Sequence, residues 1–177
     1  MISKKMENMV ANSSAIRAMF EEGNRLAKIY GPENVFDFSL GNPNVPAPKA
    51  VKQAILDILD EEDELVLHGY TNSNAGYEDV RQAVAESLNE RFGTAFAAKN
   101  ITMTVGAAGG LNVILKALLN PGDEVLIPQP SYVSYLPCVT LADGVPVIIE
   151  LEEKDQFKLT PEKLLEKITD KTKILVL

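Results

Sequence analysis

Three features of the chain predict an α/β fold in three layers, a largely parallel sheet flanked by helices. Beyond residue 100, short apolar runs alternate with helix-like runs in the order strand, helix, strand, helix, strand. Alternation of this kind calls for crossover connections, which lay strands parallel beneath covering helices. The strand-like runs Ile101–Val105, Glu124–Ile127, Val145–Glu150 and Lys173–Leu177 have strand length and are rich in aliphatic residues. The last of them ends Ile174-Leu175-Val176-Leu177, as apolar as a central strand buried on both faces.

The elements follow in chain order. Residues 13–30 read as an amphipathic helix, with Ile16, Met19, Phe20, Leu26 and Ile29 set among charged residues and Gly31-Pro32 as its stop. Val35–Leu40 reads as a short strand running into Gly41-Asn42-Pro43-Asn44 and a stiff link through Pro46 and Pro48. Pro48 suits the first turn of a helix whose apolar face is Val51, Ala54, Ile55, Ile58 and Leu59. The acidic run Asp60–Glu64 reads as a solvated loop. A longer helix is predicted over Tyr77–Phe92, with Gly93 ending it. Further helices are expected over Gly109–Leu119, near Ser131–Leu141, and over Pro161–Ile168, the last with Thr160 as N-cap. Pro146 inside a strand points to an edge position or a bulge. The final strand should feed a loop at its carboxyl end, where α/β sheets place their ligands. Here it feeds nothing, so the chain reads as the front part of a longer protein.

Composition narrows the function classes. The 177 residues are 46% hydrophobic and 24% charged, as in an ordinary globular protein with a real core. A net charge of −8, from 25 acidic and 17 basic residues, argues against nucleic acid as a partner, because phosphate binding needs Lys and Arg to displace counterions. Cys138 is the sole cysteine and His68 the sole histidine, which excludes an intrachain disulfide and disfavours a zinc site or a His-based nucleophilic pair. Cys138, on an apolar helix face, reads as packing. The N-terminus lacks the apolar core of a signal peptide and no run reaches membrane-spanning length, so no membrane partner is expected and the compartment reads as the reducing cytoplasm.

The densest chemistry lies between Ile101 and Tyr135. A β-branched run meets Gly106-Ala107-Ala108-Gly109-Gly110, which opens straight into an apolar helix. Small residues let the backbone approach a ligand, and unpaired N–H groups at a helix start attract anions. The spacing fits neither the phosphate loop of nucleotide hydrolases nor the dinucleotide fingerprint. Small residues also occur where a helix packs tightly on a strand. Tyr132, in a Pro-bounded turn after the next strand, adds a flat side chain, and the pair suggests a phosphorylated aromatic cofactor.

Four blocks in order then define a resemblance. They are Phe38-Ser39-Leu40-Gly41-Asn42-Pro43, HGYTNSNAGYEDVRQAVA from His68, TVGAAGGLNVILKALLNPGDEVLIPQPSYVSY from Thr104, and the strand from Lys171 to Leu177. Together they resemble the class I/II aminotransferases, fold-type I enzymes that use pyridoxal 5′-phosphate (PLP). The resemblance implies that residues 51–177 are the first part of the PLP-binding large domain, with 1–50 an N-terminal helix and a segment of the small domain. It implies an amino acid and a 2-oxo acid as substrates, a role in amino-acid metabolism, and a homodimer.

Carried over residue by residue, Gly106, Ala107 and Ala108 would hold the cofactor phosphate through backbone N–H groups, since this chain has no hydroxyl or lysine at the two alanines. Tyr132 would stack on the pyridine ring, and the Tyr70 hydroxyl would reach the cofactor phosphate of the other subunit. The backbone at Gly41 would approach the substrate carboxylate. Arg81 reads as part of a structural ion pair, and His68 carries no role. The Schiff-base lysine, the acid near the pyridine nitrogen and the substrate-binding arginine lie, in the family, downstream of Leu177. None of Lys116, Lys163, Lys167, Lys171 and Lys173 matches the catalytic position, so the chain alone is expected to be inactive. Two alternatives stay open: a PLP-dependent carbon–sulfur lyase of the same fold, and a non-catalytic truncated or binding fragment.

Overall fold

Val125, Leu126 and Ile127 are almost wholly withdrawn from solvent, and the strand that carries them is the middle of the sheet. Strand β1 (Glu124–Gln129) pairs in parallel with β2 (Val145–Glu150) on one side and with β3 (Thr172–Leu175) on the other. The order β2-β1-β3 places Pro146 on an outer strand, where a missing N–H costs no ladder bond toward solvent. The parallel α/β architecture is as expected. Among the described residues β3 pairs only with β1 and leaves Leu175 37% exposed. Apolar content makes a strand fit to be buried, and a second neighbour is what buries it.

The computed structural model describes residues 2–11, 15–39, 41 and 43–177, without the side chains of 15–17. Contacts divide the chain into two units, Met1–Gly69 and Tyr70–Leu177. The first unit holds helices α1 (Lys4–Ala11), α2 (Ala15–Tyr30), α3 (Lys49–Glu61) and α4 (Glu64–His68). Residues 13 and 14 of the expected first helix, and Leu40 and Asn42 of the first block, lie outside the described residues. Val35–Ser39 forms no strand, and most of the expected acidic loop is helical: α3 runs to Glu61 and α4 starts at Glu64. Asp63 separates them and caps α4, its carboxylate accepting a hydrogen bond from the Leu65 N–H at 2.8 Å.

The second unit adds α5 (Glu78–Phe92), α6 (Gly106–Leu118), α7 (Tyr135–Leu141) and α8 (Pro161–Leu165). Gly93 ends α5 in the left-handed region at φ +64°, and the Thr160 hydroxyl caps α8 by accepting from the Lys163 N–H. Leu115 and Leu119 from α6 and its C-cap meet Val125 and Ile127 of β1 and Cys138, Val139 and Ala142 of the α7 region in one buried cluster. Gly144 lies against it so closely that a Cβ would sit 2.8 Å from Leu119 Cδ1 and 3.1 Å from Val139 Cγ1.

The expected strand Ile101–Val105 does not form, and α6 begins at Gly106 rather than Gly109. A strand exists through its ladder, and among the described residues the bond this stretch makes outside its own neighbourhood runs from the Met103 N–H to the carbonyl of Ala75, a turn residue, at 2.9 Å. The segment leading to it is tied to α5 instead. Asn89 accepts from the Phe96 N–H and donates to the Phe96 carbonyl, and Gln82 accepts from the Ala98 N–H. Among the described residues, no helix is long and apolar enough to cross a membrane.

Candidate active site

Gly106 turns the chain from the irregular segment into α6. Its φ of +70° is a left-handed conformation that suits glycine, and an added Cβ would meet nothing within 4 Å. Thr104 fixes this turn from both sides: its carbonyl accepts from the Gly106 N–H at 3.0 Å, and its hydroxyl donates to the Gly106 carbonyl at 3.1 Å. The same hydroxyl limits Gly110, where a Cβ would come within 3.2 Å of it. Sequence reasoning missed Thr104. The signal for it is a hydroxyl two residues before a helix-opening glycine.

Ala107 and Ala108 follow in the first turn of α6, where N–H groups have no carbonyl four residues back to accept them, and both residues are exposed. The small side chains leave these donors open to an anion, and the positive end of the helix dipole favours it.

Leu119–Asp123 link α6 to β1, and Leu115 and Leu119 share a buried cluster with Val125 and Ile127 of that strand. Past the carboxyl end of β1, after the cis Gln129–Pro130 bond, Tyr132 stands 51% exposed and meets Tyr135 edge to face at a centroid distance of 5.5 Å. A cleft of about 230 Å³ opens beside them, lined by Pro128, Pro130, Ser131, Tyr135, Val176 and Leu177 at the carboxyl ends of β1 and β3.

These residues fit a phosphorylated flat ring as far as the phosphate and one ring face are concerned. They supply no lysine for covalent attachment. Lys116 pairs with Asp143 at 2.9 Å, Lys163 with Asp155 at 3.1 Å, and Lys173 with Asp123 at 2.9 Å. The Asp123 pair sits at the opposite, amino end of β1, where the Asn120 N–H first and the Lys173 ammonium second hold the carboxyl below its ordinary range. A larger groove of about 540 Å³ is lined by Glu150, Glu152 and Glu166 together with Lys163 and Lys167. Among the described residues no cluster of His, Cys, Asp or Glu could hold a metal ion.

Tyr70 opens the second unit with its side chain entirely in solvent. Gly41 belongs to the first unit and is exposed, and a Cβ added there would meet nothing within 4 Å. Cys138 is buried in the core, which pushes its thiol pKa up and fits the packing role expected. Arg81 departs from expectation. Its buried guanidinium donates to two carbonyls, Gly76 at 3.1 Å and Ala98 at 2.9 Å, and among the described residues to no carboxylate.

Comparison with known proteins bears on the whole arrangement. The family model described as Aminotransferase class I and II matches residues 33–177. An aspartate aminotransferase of Pyrococcus horikoshii is 34% identical over 171 residues, which is 96% of this chain and 40% of that protein. An asparagine–oxo-acid transaminase of Streptococcus mutans is 31% identical over 98% of this chain and 41% of its own length. Among solved structures, an amino transferase from Eubacterium rectale superposes with a TM-score of 0.90 at 36% identity, over all of this chain and 44% of that one. An aspartate aminotransferase from Thermus thermophilus, solved with maleate, gives 0.84 at 28% identity over the same shares. The chain thus spans about 40% of the length of the curated relatives it matches, and in sequence and fold alike it belongs to the class I and II aminotransferase family.

Proposed function

We propose that the protein to which this chain belongs is a PLP-dependent aminotransferase moving an amino group between an amino acid and a 2-oxo acid. The observation that carries this reading is the open first turn of α6, with the half-exposed Tyr132 after the next strand, within a chain of that family. The N–H groups of Ala107 and Ala108, with Gly106 giving the turn, hold the phosphate, and Tyr132 lies against the ring. Bound PLP supplies the electron sink that allows a bond at the amino acid's α-carbon to break. The chain's own residues bind and orient it.

Gly41 approaches the substrate carboxylate through its backbone. The solvent-exposed Tyr70 hydroxyl reaches the phosphate site of a second subunit, which makes the working form a homodimer. In this reading residues 1–50 belong to a small domain and 51–177 to the large one, and the lone buried cysteine suits the cytoplasm.

The test is a PLP titration of the whole protein followed by absorbance, then an amino-transfer assay with a panel of amino acids and a 2-oxo acid acceptor. Saturable PLP binding with transfer is expected. Binding accompanied by release of pyruvate and thiol from cystathionine, with no transfer, would replace the aminotransferase by a lyase. Changing Tyr70 to Phe should speed loss of PLP on dialysis; unchanged retention removes Tyr70 from the site.

A further inference from the structure

The segments bearing Tyr70 and the Gly106 turn are distant in sequence, and one buried side chain joins the stretch that follows Tyr70 to the stretch that leads to Gly106. Arg81, on the first turns of α5, is 9% exposed. Its Nε donates to the Gly76 carbonyl, just past the Asn74–Ala75 turn, and its Nη1 donates to the Ala98 carbonyl, which begins the approach to the cradle. From Tyr70 to Gly76 the backbone is organised locally: the Thr71 hydroxyl donates to the Ser73 carbonyl, and the Gly76 N–H donates to that same carbonyl. Beyond Ala98 the chain passes through a short turn to Met103, whose N–H donates to the Ala75 carbonyl. The Met103 side chain lies so close to Gly76 that a Cβ there would meet its Cγ at 2.7 Å. Three residues later stands Gly106. A planar guanidinium with a fixed fork of donors is suited to holding two carbonyls at a set separation, which an ammonium cannot reproduce.

We propose that Arg81 is a positioning residue of the cofactor site, setting the Gly106–Ala108 phosphate cradle against the Tyr70–Gly76 segment through the Gly76 and Ala98 carbonyls. It touches neither phosphate nor ring and acts through the backbone on either side. The proposal rests on the PLP reading above, and its test separates the two.

Affinities of the whole protein for PLP and for pyridoxal, which lacks the phosphate, are measured by absorbance for the parent, Arg81→Lys and Arg81→Met. The parent should bind PLP far more tightly than pyridoxal. Arg81→Met should lower the PLP-to-pyridoxal affinity ratio tenfold or more while changing pyridoxal affinity less than twofold, and Arg81→Lys should fall between. Should Arg81→Met not fold, the ratio is read from Arg81→Lys, which keeps the charge and one donor group. A ratio unchanged in a folded variant, or an equal loss for both ligands, overturns the positioning role and leaves the PLP reading standing. A parent ratio near one overturns the PLP reading, and the positioning role with it.

Discussion

Helices α3 and α6 are both 13 residues long, and their apolar faces meet opposite fates. In α6, Leu115 is 2% exposed against β1 and α7, whereas in α3 the equivalent apolar face keeps Ile55 55% and Leu59 60% exposed. The contrast extends to the units that carry them. No described residue of Met1–Gly69 is buried, while the Tyr70–Leu177 unit holds a continuous core across β1. Amphipathic spacing marks which side chains could leave water. A facing surface decides whether they do.

That contrast predicts unequal mutational costs in the 177-residue chain. Leu115→Ala or Ile127→Ala should lower stability by about 2–5 kcal/mol in urea denaturation, the cost of a core cavity. Ile55→Ala, by comparison, should change it by less than about 0.5 kcal/mol. Equal losses at the two sites would break the comparison. Gly144→Ala should cost about 1–3 kcal/mol, because its methyl is driven into Leu119 and Val139. A neutral result would mean that the core at that corner is looser than the distances indicate. Thr160→Ala removes the cap of α8 and should cost about 1 kcal/mol, read as a shift in denaturation midpoint with unchanged slope.

The smallest effect concerns acid. The Asp123 carboxyl titrates below its ordinary value when folded, through the Asn120 N–H and Lys173, and at its ordinary value when unfolded. Its contribution is therefore present above the ordinary carboxylate range and is lost as pH falls through the depressed value. Asp123→Asn should flatten the decline in stability between about pH 5 and pH 2. An unaltered profile would assign that decline to other carboxylates.

Much of the second unit is legible in the sequence for local reasons. Thr160 and Gly93 act as cap and stop because capping involves only the neighbouring turn. Strands β1 and β2 follow from aliphatic runs bounded by turn residues, and Gly106-Ala107-Ala108 is recognisable because a helix start needs only small residues and an open first turn. The Thr104 and Arg81 contacts stay hidden for a different reason: each depends on carbonyls that only a folded backbone presents.

The sequence by itself determined the α/β alternation, the family, the small-residue helix start at Gly106 and the aromatic at Tyr132, since these are encoded in short-range patterns and spacing. Among the described residues, tertiary structure alone decided that Ile101–Val105 forms no strand, that β3 pairs with β1 alone, that Arg81 serves carbonyls rather than a carboxylate, and that the face of α3 is exposed. Each of these depends on which surfaces meet. Hydrogen-bond ladders and buried area belong to pairs of segments, and a pattern along one segment cannot specify its partner.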